Sequence, residues 1–99
     1  MKTITTDELL ERVEAGEQLN IIDVREADEV AAGIIPGAKH IPLGEVDNRV
    51  AEFEKGQPYY MICRSGARSG RASEFLNEQG IDVTNVEGGM MNWKGETTA

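Results

Sequence analysis

Residues 58–71 hold a complete strand-to-helix junction, and no other stretch leaves so few choices of fold. Pro58-Tyr59-Tyr60-Met61-Ile62 is an apolar, aromatic run of the length of a buried strand. Ser69, read as an N-cap, followed by Ala72, Phe75 and Leu76 marks a helix that runs through Gln79 and stops at Gly80. Between them lies Cys63-Arg64-Ser65-Gly66-Ala67-Arg68, so the single cysteine sits in a tight loop between strand and helix.

The same alternation runs through the rest of the chain. Thr5 and Glu8 have capping-box spacing, with Thr5 or Thr6 as the N-cap of a helix whose apolar face is Leu9, Leu10 and Val13 and which Gly16 ends. Asn20 to Val24 reads as a central strand, Arg25 to Glu29 opens a short helix ended by Gly33, and Ala38 to Ile41 reads as a short strand ended by Pro42. Leu43, Val46, Val50 and Phe53 recur at helical spacing up to Gly56, and Ile81 to Val86 alternates like a strand. Met90, Met91 and Trp93 anchor a last short helix, with Met90 or Met91 as a possible substrate contact, and residues 95–99 read as a frayed tail. Strands alternating with amphipathic helices predict an α/β fold: a mostly parallel five-stranded sheet with helices on both faces. At 99 residues this is one domain, spanning 1–99.

Charge distribution narrows the function. The net charge is −8, which argues against nucleic acid or an anionic membrane as a partner. Yet Lys55, Arg64, Arg68 and Arg71 fall in a stretch that carries no carboxylate, from Lys55 to Ser73. Such a patch draws a small anion, although Arg71 is equally explained as a solvated helix residue. There is no metal-ligand cluster and no long apolar run. The polar, acidic N-terminus predicts no signal peptide, and a lone cysteine without a disulfide partner points to a reducing cytoplasm. Nothing in the sequence demands more than a monomer.

The loop predicts an anion cradle. Its backbone N–H groups converge, and the helix behind contributes the free amides and positive dipole end of its first turn. A thiol held there, beside arginines, ionises more readily than a free one. Cys63 is therefore the candidate nucleophile, with Arg64, Ser65, Gly66, Ala67, Arg68 and Ser69 as the candidate anion-binding set. Arg64, next to the sulfur, meets the incoming anion; Arg68 closes the loop; Gly66 supplies backbone shape. Asp23 and Arg25, at a strand end, either shape the crevice or fix the turn by ion pairing, and the second role is favoured. His40 reads as an ordinary strand-end residue. Sulfur chemistry at Cys63 requires the thiol to lie beside the loop amides and to be open to water.

Four residues separate Cys63 from Arg68, one fewer than in cysteine phosphatases, and the narrower ring suits a single added atom on the sulfur. The loop resembles the Cys-Arg-x-Gly-x-Arg-Ser pattern of rhodanese-like sulfurtransferases. The segment from Asp23 to Leu43, DVREADEVAAGIIPGAKHIPL, is similar to a second signature of that family, with Ile34 where the family usually has histidine. Glu87-Gly88-Gly89 with Trp93 is similar to a third. The resemblance covers about residues 20 to 93 and implies a rhodanese-like three-layer fold without a cofactor. It implies transfer of a sulfane sulfur through a Cys63 persulfide, from a small anionic donor such as thiosulfate to a thiol, cyanide or a sulfur-relay protein. Competing readings are a cysteine phosphatase or arsenate reductase, a catalytically weak binding or regulatory module, and a peroxide-sensing thiol that needs an exposed sulfur.

Overall fold

The computed structural model describes residues 1–99 and contains five strands: β1 (Lys2–Thr5), β2 (Asn20–Asp23), β3 (Lys39–His40), β4 (Pro58–Ile62) and β5 (Asp82–Glu87). Three α-helices, α1 (Thr6–Glu14), α2 (Ala27–Ala31) and α3 (Ala67–Glu78), and two 3₁₀ segments, Leu43–Glu52 and Gly89–Asn92, connect them. The sheet order is β1-β5-β4-β2-β3, and every strand pair is parallel. The expected α/β sheet is thus wholly parallel. Its fifth strand, β1, occupies residues that the sequence placed only ahead of a helix cap.

Alternation along β4 divides the core in two. Tyr59, Met61 and Cys63 point to one face, where Ala72 and Leu76 of α3 and Val46 and Phe53 around the first 3₁₀ segment cover them. Tyr60 and Ile62 point to the other, against Leu9 of α1, Ile35 and Val86, with Met90 and Trp93 packed at the margin. A sheet buried on both faces needs strands apolar on both faces, and β4 meets that need. Cys63 thus sits at the carboxyl end of a central strand, where open parallel sheets place their ligand sites.

Local signals explain most element boundaries. Thr5 caps α1: its hydroxyl accepts the Glu8 N–H at 3.1 Å, and Glu8 accepts the Thr5 N–H at 3.0 Å. Gly66, at φ +107°, is the N-cap of α3, so the helix begins at Ala67 and Ser69 lies inside its first turn. A side chain other than glycine resists that dihedral, and the chain enters the helix there instead of at Ser69. The Leu43–Glu52 segment is a 3₁₀ helix kinked at Arg49, not an α-helix. Leu43 to Val46 and Val50 to Phe53 are each three residues apart, the 3₁₀ repeat, and the kink takes up the intervening four. The tail is also not frayed. Ile34 and Thr98 exchange two backbone hydrogen bonds of 2.8 Å, and Glu96 O accepts the Trp93 indole N–H at 3.0 Å.

Candidate active site

Three of the loop's carbonyls are taken up by neighbouring groups, which leaves its amides for the sulfur. Cys63 O accepts the Met90 N–H at 2.8 Å, and Arg64 O accepts the Met91 N–H at 3.0 Å. Gly66 O accepts from Gly70 N at 3.0 Å and from Asn85 Nδ2 at 3.1 Å. Gly89 makes the first two contacts possible: a Cβ there would lie 2.4 Å from Cys63 O and 2.5 Å from Arg64 O. The glycine pair before Trp93 is thus the clamp behind the cysteine loop.

On the inner side, Gly66 N–H donates to Cys63 Sγ at 3.1 Å, and Ser69 Oγ lies 3.3 Å from the same sulfur. Burial pushes the thiol's pKa up, while the Ser69 hydroxyl and the amides of Ser69, Gly66 and Ser65 push it down and prevail. The sulfur is an activated one by its hydrogen bonds. It is also closed: Cys63 has 0% exposure, against the expectation of a thiol open to water. The same enclosure bears on the peroxide-sensing alternative and on sulfur transfer alike, since each needs the sulfur to be reached.

The arginines divide their work. Arg68 reaches across to α2 and grips Glu29 with both terminal nitrogens, at 2.6 and 2.8 Å. That fork, together with the Glu26 N–H that Glu29 accepts, holds the Glu29 carboxyl down to about 2. Arg68 therefore locks the loop to α2 and brings no free charge to an incoming ligand. Arg25 binds Asp23 through its Nε and Nη2, and Nη2 also donates to Gly33 O at 2.7 Å. Asp23 is fully buried and this pair holds the turn after β2, while Arg25 also lines a cleft beside the loop. His40 Nε2 meets Arg25 O at 2.7 Å, a further fastening of that turn.

Arg64 is exposed and makes no ion pair. It lines a cleft of about 430 Å³ with Arg25, Glu29, Ala32, Met90 and Met91. Met91 is 64% exposed, so it forms part of that wall and does not anchor the last helix to the core. Ala67 and Ser65 are exposed on the loop's outer side. Lys55 does not belong to the patch. It precedes β4 and approaches Gly80 at the far end of α3, about 20 Å from the sulfur along the strand. Arg71 is exposed on α3 and also makes no ion pair. Sequence reading passed over two residues that complete the site: Glu29, which receives Arg68, and Asn85 of β5, which holds Gly66 and Ser69. No metal-binding cluster is present, and no helix is long and apolar enough to cross a membrane.

Residues 5–96 match the family model for the rhodanese-like domain. The chain is 50% identical to the sulfurtransferase candidate YtwF of Bacillus subtilis over 97 residues, covering 98% of this chain and 94% of that protein. It is 35% identical to a sulfurtransferase of Allochromatium vinosum, over 91% of this chain and 85% of the relative. Among solved structures, a rhodanese-like domain protein from Staphylococcus aureus superposes with a TM-score of 0.93 at 42% identity, covering 99% of this chain and 97% of that one.

Proposed function

The chain belongs to the rhodanese-like domain family, and from that membership we propose that it is a sulfurtransferase whose Cys63 carries the sulfur in transit. One observation supports this most: the Cys63 sulfur faces the Gly66 amide and the Ser69 hydroxyl inside a loop whose Cys63 and Arg64 carbonyls are bonded to Met90 and Met91. The Cys63 thiolate attacks the outer sulfur of a donor such as thiosulfate. A new S–S bond forms, the donor's S–S bond breaks, and sulfite leaves with the bonding pair. The loop amides then stabilise the negative charge of the terminal persulfide sulfur, each hydrogen bond to a charged group contributing about 1.5–3 kcal/mol. A thiolate or cyanide attacks that sulfur, the Cys63 S–S bond breaks, and the thiolate returns. This cycle is ping-pong. It needs no cofactor, and a sulfur-relay protein is as suitable an acceptor as a small thiol.

Arg64 is the cation that meets the anionic donor, since Arg25 and Arg68 are engaged with Asp23 and Glu29. Because Cys63 is closed, donor entry requires the loop around it to open. The same closure favours a second reading, a docking or regulatory domain without turnover. Release of thiocyanate from thiosulfate and cyanide separates the two. The enzyme reading expects turnover that Cys63→Ser abolishes, with no hydrolysis of an aryl phosphate. The regulatory reading expects no turnover from the native chain.

A further inference from the structure

The face of β5 under α3 carries Val83 and then Asn85, a polar side chain only 7% exposed beneath the helix's first turn. Gly70 of α3 lies over it, and a Cβ added there would meet Asn85 Nδ2 at 3.4 Å, an ordinary contact. Asn85 Nδ2 donates to Gly66 O at 3.1 Å, which fixes the orientation of the amide: the reverse would set two oxygens against each other. Its Oδ1 is thereby aimed at Ser69, whose hydroxyl lies 2.6 Å away.

Ser69 has a single hydroxyl hydrogen and three acceptors in reach: Asn85 Oδ1 at 2.6 Å, Gly66 O at 3.2 Å and Cys63 Sγ at 3.3 Å. While the sulfur is a neutral thiol, the shortest bond takes the hydrogen, and the thiol S–H in turn donates to Ser69 Oγ. Once the sulfur is an anion it becomes the stronger acceptor. The hydroxyl then turns toward it, leaving Asn85 Oδ1 unpartnered in a buried site.

We propose that Asn85 is a positioning residue that acts through Ser69: it competes with the Cys63 sulfur for one hydroxyl hydrogen and so sets how readily the nucleophile forms. This rests on Cys63 being the nucleophile of the proposed reaction, but titration of the thiol is read without turnover, so the two ideas fail separately. The charged groups on the elements around the thiol are Arg64 of its own loop, Arg68 of α3 bound to Glu29 of α2, Arg71, Glu74 and Glu78 further along α3, the Asp23–Arg25 pair after β2, and Asp82 and Glu87 of β5. None of these exchanges a hydrogen bond with Ser69 or Asn85.

The test is the pH dependence of Cys63 alkylation by iodoacetamide in the full chain. Ser69→Ala removes the hydroxyl donor and lowers the thiol's ionisation constant about three- to tenfold; Asn85→Leu removes the competitor and raises it by a similar factor. In the Ser69→Ala background, Asn85→Leu then has no further effect. An equal shift from Asn85→Leu in both backgrounds means that it acts through the backbone and overturns the proposal, as does an unchanged profile in Ser69→Ala. Should Asn85→Leu fail to fold, Asn85→Asp serves: its carboxylate holds the hydrogen harder, and its lowering of the ionisation constant is at least about threefold larger with Ser69 present than without. Equal lowering in the two backgrounds overturns the proposal.

Discussion

Arg64 stands apart from Arg25 and Arg68 because no carboxylate holds it. Its replacement by alanine is expected to raise KM for thiosulfate about tenfold, with an unchanged urea midpoint, since an exposed unpaired side chain contributes little to stability. Steady-state kinetics at two salt concentrations checks this, because loss of the charge also removes most of the salt dependence of kcat/KM. Cys63, Arg64 and Gly66 were legible as candidate site residues because a thiol, a cation and a turn-forming glycine occupy one short loop. Glu29 and Asn85 were not, since each reaches the loop from another element. Asn85 carries no signal beyond a polar residue in an otherwise apolar alternation, and Glu29 is one of eighteen carboxylates.

At the scale of elements, the site depends on two clamps on one loop. The first is Gly89, at φ +58° and pressed against the carbonyls of Cys63 and Arg64. Gly89→Ala combines a left-handed backbone cost with overpacking and is expected to destabilise by about 2–4 kcal/mol, read from urea unfolding. The second is the Arg68–Glu29 fork, whose Glu29 carboxyl is held down to about 2 from 4.5. A carboxyl lowered in the folded state contributes stability that is complete above its ordinary value and is lost as pH falls through the folded one. The unfolding free energy of the native chain is therefore expected to drop between about pH 4.5 and 2, and Glu29→Gln is expected to lack that part of the drop. At neutral pH the substitution is expected to cost about 1 kcal/mol, because the pair is only partly buried. The start of α3 was misplaced at Ser69 because serine is the stronger capping signal. A glycine at positive φ takes the cap instead, and this frees the Ser69 hydroxyl for the sulfur.

For the whole molecule, the sheet order places β4 between β5 and β2, so the loop after it is braced from both sides. The alternation of strand and helix made this architecture legible, whereas β1 escaped because a short edge strand of alternating threonines carries no core pattern. The tail escaped for a related reason: its bridge to Ile34 is made by backbone atoms, which the side-chain sequence does not report. Removal of residues 95–99 is expected to lower stability by about 1–2 kcal/mol through loss of the two Ile34–Thr98 hydrogen bonds, read as a lower urea midpoint. Sulfur carriage by the intact chain is tested most directly by its mass after incubation with thiosulfate and removal of excess donor. The account predicts a gain of one sulfur atom, reversed by cyanide and absent in Cys63→Ser; no gain, or a gain that survives in Cys63→Ser, contradicts it.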